Sequence, residues 1–132
     1  MKLRVLGYDP YMSTENAIRL GIEKVDLDEL LSRADFITVH KPLNDSTRNI
    51  ISADASNKTK KGVRIINCAR GGLVDELALA AALDTGNMAG VALDAFVNKP
   101  ATAHVLFGLI MLLPRHILVP ARQRHNKKWR YK

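Results

Sequence analysis

Short apolar runs rich in β-branched residues alternate with stretches of helical composition along most of the chain. The apolar runs cover residues 3–9, 35–40, 62–67 and 88–94. Helical composition is found in residues 14–20, 26–31, 52–61 and 75–83. Strands that are separated by helices imply a parallel sheet with right-handed crossovers, because each helix returns the chain to the same end of the sheet. The sequence therefore predicts an α/β fold.

One junction between a run and a helix carries an arginine and two glycines. The third run leads into Cys68-Ala69-Arg70-Gly71-Gly72, and a helical pattern begins soon afterwards. Ligands of open α/β sheets collect at the carboxyl ends of the strands, where Arg70 would lie. A guanidinium binds a carboxylate through two parallel hydrogen bonds, and glycines let a ligand approach the backbone. Arg70 is therefore the leading candidate for a catalytic, carboxylate-binding residue.

Asp9, at the end of the first run, is a candidate for a cofactor-binding residue. At the carboxyl end of a strand its carboxylate can accept hydrogen bonds from the ribose hydroxyls of NAD, and it suits NAD better than NADP. Composition alone favours a turn aspartate before Pro10 instead. Cys68 is interpreted as a packed small residue rather than a nucleophile, since nothing near it in the sequence resembles a base.

The net charge of +7 is confined to the end of the chain. Residues 1–108 carry 13 basic and 13 acidic side chains, whereas residues 109–132 carry seven basic side chains and no acidic one. The chain therefore has two compositions. We expect a domain over residues 1–108 and a basic tail over residues 109–132.

Several classes of protein do not fit the sequence. No apolar run approaches the roughly 18 residues that a membrane-spanning helix needs, and the N-terminus has no signal-peptide layout. The single cysteine, Cys68, rules out an internal disulfide and argues against a thiolate metal cluster. We therefore expect a cytoplasmic protein with no metal site and no membrane partner.

Four motifs resemble those of the D-2-hydroxyacid dehydrogenases and occur in the order found in that family. They are Gly7-Tyr8-Asp9-Pro10, His40-Lys41-Pro42-Leu43 with Thr47-Arg48, the stretch over residues 65–76, and Ala92-Leu93-Asp94-Ala95-Phe96. The resemblance covers residues 1–108. It implies a Rossmann-like, doubly wound parallel sheet that binds NAD.

The resemblance also implies roles for individual residues. In the family, the arginine at the position of Arg70 holds the substrate carboxylate, and the aspartate at the position of Asp94 contacts the carboxamide of the nicotinamide. Asp9 would then bind ribose, Cys68 would line the cofactor site, and the loop after His40 would line its adenine side. The implied reaction is the oxidation of a small 2-hydroxy acid, and the resemblance points to 3-phosphoglycerate.

The chain departs from the family at two kinds of position. The first βα unit, with its Gly-x-Gly-x-x-Gly turn, is expected to be absent, because Met1 falls just before the second strand of the family's domain. Lys99 stands where the family has the glutamate that orients the catalytic histidine, and no Thr-Pro-His-x-Gly segment follows. His104, His116 and His125 lack its context and are interpreted as surface residues. We therefore expect a partial domain with negligible hydride transfer.

The composition of the tail suggests a frameshift near Ile110. Synonymous codons can be chosen for residues 111–122 so that the same bases also encode a second sequence. When one base is placed before them and they are read in the neighbouring frame, they encode Asn-Val-Ile-Ala-Thr-Pro-His-Leu-Gly-Ala-Ser-Thr. This translation contains the missing histidine motif. We therefore expect residues 109–132 to be a shifted reading of the family's own continuation.

Two alternative functions remain open from the sequence alone. Residues 122–132 place Trp129 and Tyr131 among cations, a composition that can bind nucleic acid non-specifically, although we favour this less. The chain could also be a non-catalytic partner that pairs with an intact dehydrogenase through an exposed sheet edge, or it could self-associate.

Overall fold

A computed structural model of the chain describes residues 3–97, 111–112 and 117–120. Strands and helices alternate, which confirms the predicted α/β class. In chain order the elements are β1 (Val5–Gly7), α1 (Thr14–Arg19), β2 (Ile22–Lys24), α2 (Leu27–Arg33), β3 (Phe36–Val39), α3 (Ala53–Lys58), β4 (Val63–Asn67), α4 (Glu76–Asp84), β5 (Met88–Leu93), β6 (Met111–Leu112) and β7 (Ile117–Pro120).

The strands form two sheets. β1 and β2 pair in parallel, and the second sheet has the order β3-β4-β5-β7-β6. Within it β3, β4 and β5 are parallel, whereas β7 is antiparallel to both β5 and β6. The doubly wound fold has the strand order 3-2-1-4-5-6. Here β2 and β1 take positions 3 and 2 of that order, and β3, β4 and β5 take positions 4, 5 and 6. No described strand lies between β1 and β3.

Side-chain caps explain why the four helices begin where they do. The residue before each helix accepts a hydrogen bond from a backbone N–H in the first turn, which satisfies a donor that has no partner within the helix. The capping residues are Ser13, Asp26, Ser52 and Asp75. All four predicted helices are present, and each begins within one residue of its predicted start.

The apolar core lies between the larger sheet and three of its helices. Alternate residues of β3 and β4, such as Ile37 and Ile65, are buried, and they pack in one cluster with Leu31 of α2 and Leu79 of α4. On the other face of β3, Phe36 is 61% exposed. The described helices of this cluster therefore cover one face of the larger sheet.

Some elements were not predicted. β2 contains only three residues, and it begins directly after Gly21, which has a φ of 70°. β6 and β7 fall in the segment for which the sequence predicts only a basic tail. The predictions for Lys99, for the three histidines at 104, 116 and 125, and for residues 121–132 fall outside the described residues. No helix in the described part of the chain is long and apolar enough to cross a bilayer.

Candidate functional site

The candidate site is the carboxyl edge, which we define as the loops that follow β1, β3, β4 and β5. Because β3, β4 and β5 run in parallel, their loops emerge at the same end of the sheet. The loop after β1 joins this end, since the Lys41 ammonium lies 5.0 Å from the centre of the Tyr8 ring. Asp9, Cys68, Arg70 and Asp94 therefore all lie in loops of the carboxyl edge.

Asn67 organises the loop that carries Arg70. It is the last residue of β4 and is fully buried, on the same face as Val63 and Ile65. Its side-chain Nδ2 donates to the Arg70 carbonyl at 2.9 Å, and its Oδ1 accepts from the Ala69 N–H at 3.1 Å. A buried amide is thus satisfied only while the loop keeps this shape.

The loop after β4 also packs directly on the loop after β5. The Asp94 N–H donates to the Asn67 carbonyl at 3.0 Å. A Cβ atom on Gly71 would lie 2.1 Å from the Phe96 carbonyl oxygen, so no larger residue fits there without movement. The Glu76 carboxylate at the start of α4 accepts from the Val97 N–H at 3.0 Å. These contacts join the segments that carry Arg70 and Asp94 into one unit.

The Arg70 guanidinium is exposed and is held by its own loop. Its Nη1 donates to the Ala69 carbonyl at 2.8 Å, and it forms no ion pair with any described residue. A cation without an acidic partner at the end of a parallel strand is available to bind an anion. With one nitrogen engaged by the loop, the remaining N–H groups can still bind a carboxylate.

Asp9 both caps a turn and keeps a free carboxylate oxygen. Its Oδ1 accepts from the Tyr11 N–H at 2.9 Å, as expected for an aspartate that precedes a proline. The other oxygen has no partner among the described residues, and the side chain is exposed. The turn interpretation and the ribose interpretation are therefore compatible at this residue.

Cys68 is not packed, contrary to the prediction from the sequence. Its thiol is free and the residue is exposed, because the chain leaves the sheet directly after the buried Asn67. Asp94 is also exposed. The His40 ring nitrogen Nε2 lies 2.8 Å from the Thr38 hydroxyl, which orients that ring beside the loop after β3.

A cleft of about 290 Å³ separates β1 from β3 and opens at the carboxyl edge. Leu6, Leu30 and Ile37 line its apolar part, while Asp9 and Lys41 stand at its polar rim. Within the described ranges, no three histidine, cysteine or acidic side chains converge in a way that could hold a metal ion.

Sequence reasoning missed Asn67, Glu76 and the contact between Gly71 and Phe96. A signal for Asn67 was present, because its alternation with Val63 and Ile65 places it on the buried face of the strand. A polar residue in that position needs hydrogen-bond partners, and the following turn is the nearest source. The contacts of Glu76 and Gly71 join segments that are distant in sequence; Glu76 and Val97, for example, are 21 residues apart. Such contacts leave no local signal in the sequence.

Comparison with known families identifies the class of protein that this fold and edge define. The sequence model of the family described as D-isomer specific 2-hydroxyacid dehydrogenase, NAD binding domain, matches residues 1–129. The chain belongs to this family. It corresponds to the family's NAD-binding domain, and NAD is the cofactor of that domain.

The similar curated proteins are D-3-phosphoglycerate dehydrogenases. The enzyme of Mycobacterium tuberculosis strain H37Rv is 50% identical over 109 residues, which cover 83% of this chain and 21% of that protein. The Bacillus subtilis enzyme is 47% identical over 93 residues, which cover 70% of this chain and 18% of that protein. The chain therefore spans about a fifth of the length of the curated relatives it matches, and within the family it is close to phosphoglycerate dehydrogenase.

Solved structures agree with this assignment. Apo D-mandelate dehydrogenase from Rhodotorula graminis superposes with a TM-score of 0.73 at 33% identity, over 80% of this chain and 31% of that chain. The NAD-complexed D-isomer specific 2-hydroxyacid dehydrogenase from Lactobacillus delbrueckii superposes with a TM-score of 0.68 at 36% identity, over 75% and 30% of the two chains. The predicted Rossmann-like fold is thus confirmed.

The residues of the carboxyl edge fit part of the NAD molecule. The free oxygen of Asp9 suits ribose hydroxyls, and Asp94 lies beside the Arg70 loop. Residues 1–132 contain no Gly-x-Gly-x-x-Gly turn, which in this fold places a helix N-terminus against the pyrophosphate. The described part of this edge therefore presents the two exposed carboxylates of Asp9 and Asp94.

Proposed function

We propose that this chain forms the wall of an NAD-dependent dehydrogenase on which the nicotinamide and the carboxylate of a 2-hydroxy acid meet. In this proposal Arg70 binds the substrate carboxylate, Asp94 binds the nicotinamide carboxamide and Asp9 binds ribose. Cys68 lines the cofactor site next to Arg70. The observation that carries the proposal is the exposed Arg70, which forms no ion pair with a described residue, on a loop that Asn67 and Gly71 fix against the segment of Asp94.

The loop gives Arg70 the properties of a positioning and binding group. Its guanidinium keeps its charge at any physiological pH and can bind both oxygens of a carboxylate. Because the loop is held by a buried amide, little freedom is lost when the substrate binds. When NAD is bound, it supplies the acceptor for the hydride of the hydroxy acid. The arginine holds the acid in one orientation beside that acceptor.

We propose that the substrate is 3-phosphoglycerate or a closely related acid. The support is the identity of about half of the aligned residues to D-3-phosphoglycerate dehydrogenases. The described residues carry no second assigned anion site, so the phosphate contact of such a substrate is expected to come from other parts of the enzyme.

We further propose that residues 1–132 alone do not transfer hydride. The proton of the hydroxyl group needs a base, and the sequence has neither a Thr-Pro-His-x-Gly segment nor a glutamate at position 99. An ammonium at Lys99 would disfavour an imidazolium beside it, which is the opposite of what a carboxylate does.

A chimeric enzyme tests the site independently of the missing groups. Residues 3–97 replace the matching segment of the Mycobacterium tuberculosis relative, which supplies every other part. We expect NAD-dependent oxidation of 3-phosphoglycerate, and we expect Arg70→Ala to lower kcat/KM by about 10- to 100-fold, as loss of a hydrogen-bonded charge pair predicts. An Arg70→Ala chimera that keeps its kcat/KM would contradict the role of Arg70.

Three matched variants separate the roles within the same chimera. Arg70→Lys keeps the charge without the paired hydrogen bonds, so it is expected to lose most of the same activity. Asp9→Asn is expected to raise KM for NAD with little effect on KM for the acid. Asp54→Asn in α3 carries the same change away from the carboxyl edge and is expected to leave both constants unchanged.

The reverse reaction tests the isolated chain. Residues 1–132 are mixed with NADH and the 2-oxo acid that corresponds to 3-phosphoglycerate, and NADH absorbance is followed. We expect no oxidation above the rate without protein. A protein-dependent rate that Arg70→Ala abolishes would contradict the proposed inactivity while supporting the proposed site.

A further inference from the structure

We propose that Arg48 and Arg70, carried by two neighbouring loops of the carboxyl edge, together bind one free tetrahedral oxyanion of the phosphate type. Bound there, the ion would compete with the hydroxy acid for the Arg70 guanidinium. Only this competition rests on the proposed function, because binding of the ion itself can be measured on the chain alone. Arg48 has no part in that function as proposed.

A short run of parallel backbone pairing joins the end of the loop after β3 to the loop after β4. The Asn49 N–H donates to the Gly72 carbonyl at 2.8 Å, and the Ile51 N–H donates to the Leu73 carbonyl at 3.3 Å. Ile51 and Val74 form a parallel bridge. Backbone hydrogen bonds therefore hold the two loops in one register.

Arg48 directly precedes this backbone pairing, and its guanidinium lies against Gly72. A Cβ atom on Gly72 would lie 3.7 Å from the Arg48 Nη1. Consecutive Cα atoms are about 3.8 Å apart, so the Cα atom of Gly72 is no more than about 7.6 Å from that of Arg70. The Arg70 guanidinium donates to the Ala69 carbonyl at the other end of this turn. The two guanidinium groups therefore flank one turn of the chain.

Local hydrogen bonds hold the turn that precedes Arg48. The hydroxyl of the buried Thr47 donates to the Pro42 carbonyl at 2.6 Å and accepts from the Asn44 N–H at 2.9 Å. The Arg48 N–H donates to the Asn44 carbonyl at 2.9 Å. A cation on a backbone that is already ordered loses little freedom when it binds an ion. Arg48 thus resembles Arg70 in the support that its loop provides.

The two arginines have like charges and no acidic partner among the described residues. Arg48 and Arg70 are both exposed. The carboxylates just after the turn are engaged elsewhere, since Asp75 caps α4 and Glu76 accepts from the Val97 N–H. An anion between two cations is attracted by both and relieves their mutual repulsion. The turn therefore favours the binding of an anion.

Two guanidinium groups from different segments favour a tetrahedral anion over a carboxylate. One guanidinium takes both oxygens of a carboxylate in a planar pair of hydrogen bonds. Phosphate has oxygens in four directions, so one pair of them can face each guanidinium. Asp94, on the loop after β5, opposes any anion at this edge. We therefore expect binding to be selective for phosphate but weak.

NMR titration of the labelled chain of 132 residues with inorganic phosphate tests ion binding, with ionic strength held constant by chloride. We expect saturable shifts of the amides of residues 48 and 70–72, with a Kd of about 1–10 mM. Acetate is expected to bind at least about fivefold more weakly, because it engages one guanidinium. The readout at these amides separates the site from the seven cations of residues 109–132.

Matched substitutions test the two arginines in the same titration. Arg48→Gln and Arg70→Gln are each expected to weaken phosphate binding about tenfold, because each removes charge-assisted hydrogen bonds. Arg64→Gln is the control, since that guanidinium lies 5.3 Å from the centre of the Phe36 ring, near the amino end of β4. It is expected to leave the Kd within about twofold. If circular dichroism shows that a variant is unfolded, the acetate comparison on the unmodified chain decides the question.

The chimera that carries residues 3–97 tests the competition. Phosphate is expected to raise KM for 3-phosphoglycerate without changing kcat, and Arg48→Gln is expected to raise the inhibition constant about tenfold. An inactive chimera would contradict the proposed function, and the NMR titration would still decide ion binding. The inference is overturned if about 50 mM phosphate gives no saturable shifts, if acetate binds equally well, or if Arg48→Gln leaves the Kd unchanged. Phosphate that lowers kcat at saturating acid would overturn the competition.

Discussion

Asn67 is a polar residue in a position where the strand pattern places an apolar one, and its two side-chain hydrogen bonds determine where Arg70 emerges. The donor of the amide faces the Arg70 carbonyl and its acceptor faces the Ala69 N–H, so the two ends of the amide are not interchangeable. The candidate site therefore depends on a residue to which no ligand contact is assigned. Gly71, in the same loop, also shapes the site without an assigned ligand contact, because its lack of a side chain leaves room for the Phe96 carbonyl.

At the residue scale, replacing Asn67 tests whether its amide holds the loop. Asn67→Ala is expected to destabilise the fold by about 2 kcal/mol or more, since it leaves the Arg70 carbonyl and the Ala69 N–H without partners. Asn67→Asp keeps the acceptor but places a second oxygen against the Arg70 carbonyl. Its buried carboxyl should have a raised pKa, so this variant should regain stability as pH falls. Urea unfolding at pH 7 and pH 5 measures both effects, and equal losses for the two variants at both pH values would contradict the assignment.

Gly71 provides a second test at this scale. Gly71→Ala is expected to cost about 3 kcal/mol or more, because a Cβ would overlap the backbone of Phe96 and the loops would have to separate. The control is Gly62→Ala, where φ is 84° and nothing lies within 4 Å of the added atom. That variant carries only the cost of left-handed backbone, about 1–2 kcal/mol. Thermal unfolding ranks the two, and an equal or smaller loss for Gly71→Ala would show that the loops are not in contact.

At the scale of elements, β2 is tied to its neighbours by ion pairs as well as by its ladder. Glu23 lies 2.8 Å from the Arg33 guanidinium of α2 and 3.2 Å from that of Arg4 before β1. Arg33 also contacts Glu29 one turn earlier in its own helix. The hydrogen bond from Arg33 lowers the pKa of Glu23 below its ordinary value of 4.5, desolvation opposes this shift, and the charges of both arginines add to it.

The lowered pKa of Glu23 predicts how stability depends on pH. A carboxyl whose folded pKa is depressed stabilises the fold above its unfolded value, and this contribution is lost as pH falls through the folded value. The native chain should therefore lose stability as pH falls below about 4.5, and Glu23→Gln should lose less over the same range. The effect is expected to be small, because the pair is exposed to solvent. Glu15→Gln, which has no ion pair among the described residues, is the control. Urea unfolding between pH 3 and 7 that gives parallel curves for Glu23→Gln and the native chain would contradict the assignment.

The elements that the sequence predicted well are those with a local cause. Asp75 and Ser52 cap the helices that follow them, and this chemistry can be identified from a few adjacent residues. β2 has only three residues, which is too short for a periodic pattern. The candidate site was predictable in part for the same reason. A strand end places Arg70 and Asp94 on one edge, but the contacts that fix them join segments distant in sequence.

At the scale of the whole molecule, the strands of the described residues form a small parallel pair and a larger mixed sheet that share one carboxyl edge. The walls of the cleft between them are the edges of β1 and β3. Exposed apolar side chains accompany these edges, including Val5 at 50% and Phe36 at 61%. Strand edges that have no ladder partner among the described strands, with apolar neighbours, favour association with other strands.

The gene sequence tests the origin of residues 109–132. We propose that these residues are a shifted reading of the family's continuation, and that residues 1–108 form the domain. The prediction is that the bases under residues 111–131 encode Thr-Pro-His-x-Gly in the neighbouring frame, followed by a segment with helical and acidic character. Sequencing of the gene checks it directly. If the neighbouring frame does not encode that motif, the cluster of seven cations requires another explanation, and binding to nucleic acid becomes the alternative to examine.

The central claim is that the carboxyl edge is the site where this chain contacts NAD, and NMR titration of the labelled chain with NADH tests it most directly. We predict shifts confined to the amides near Asp9, Lys41, Arg70 and Asp94. We expect a Kd of about 1 mM or weaker, because residues 1–132 contain no Gly-x-Gly-x-x-Gly turn that would place a helix N-terminus against a pyrophosphate. Asp9→Asn should reduce the shifts near residue 9. Shifts away from this edge, no shifts at about 10 mM NADH, or a Kd of about 1 μM would contradict the account.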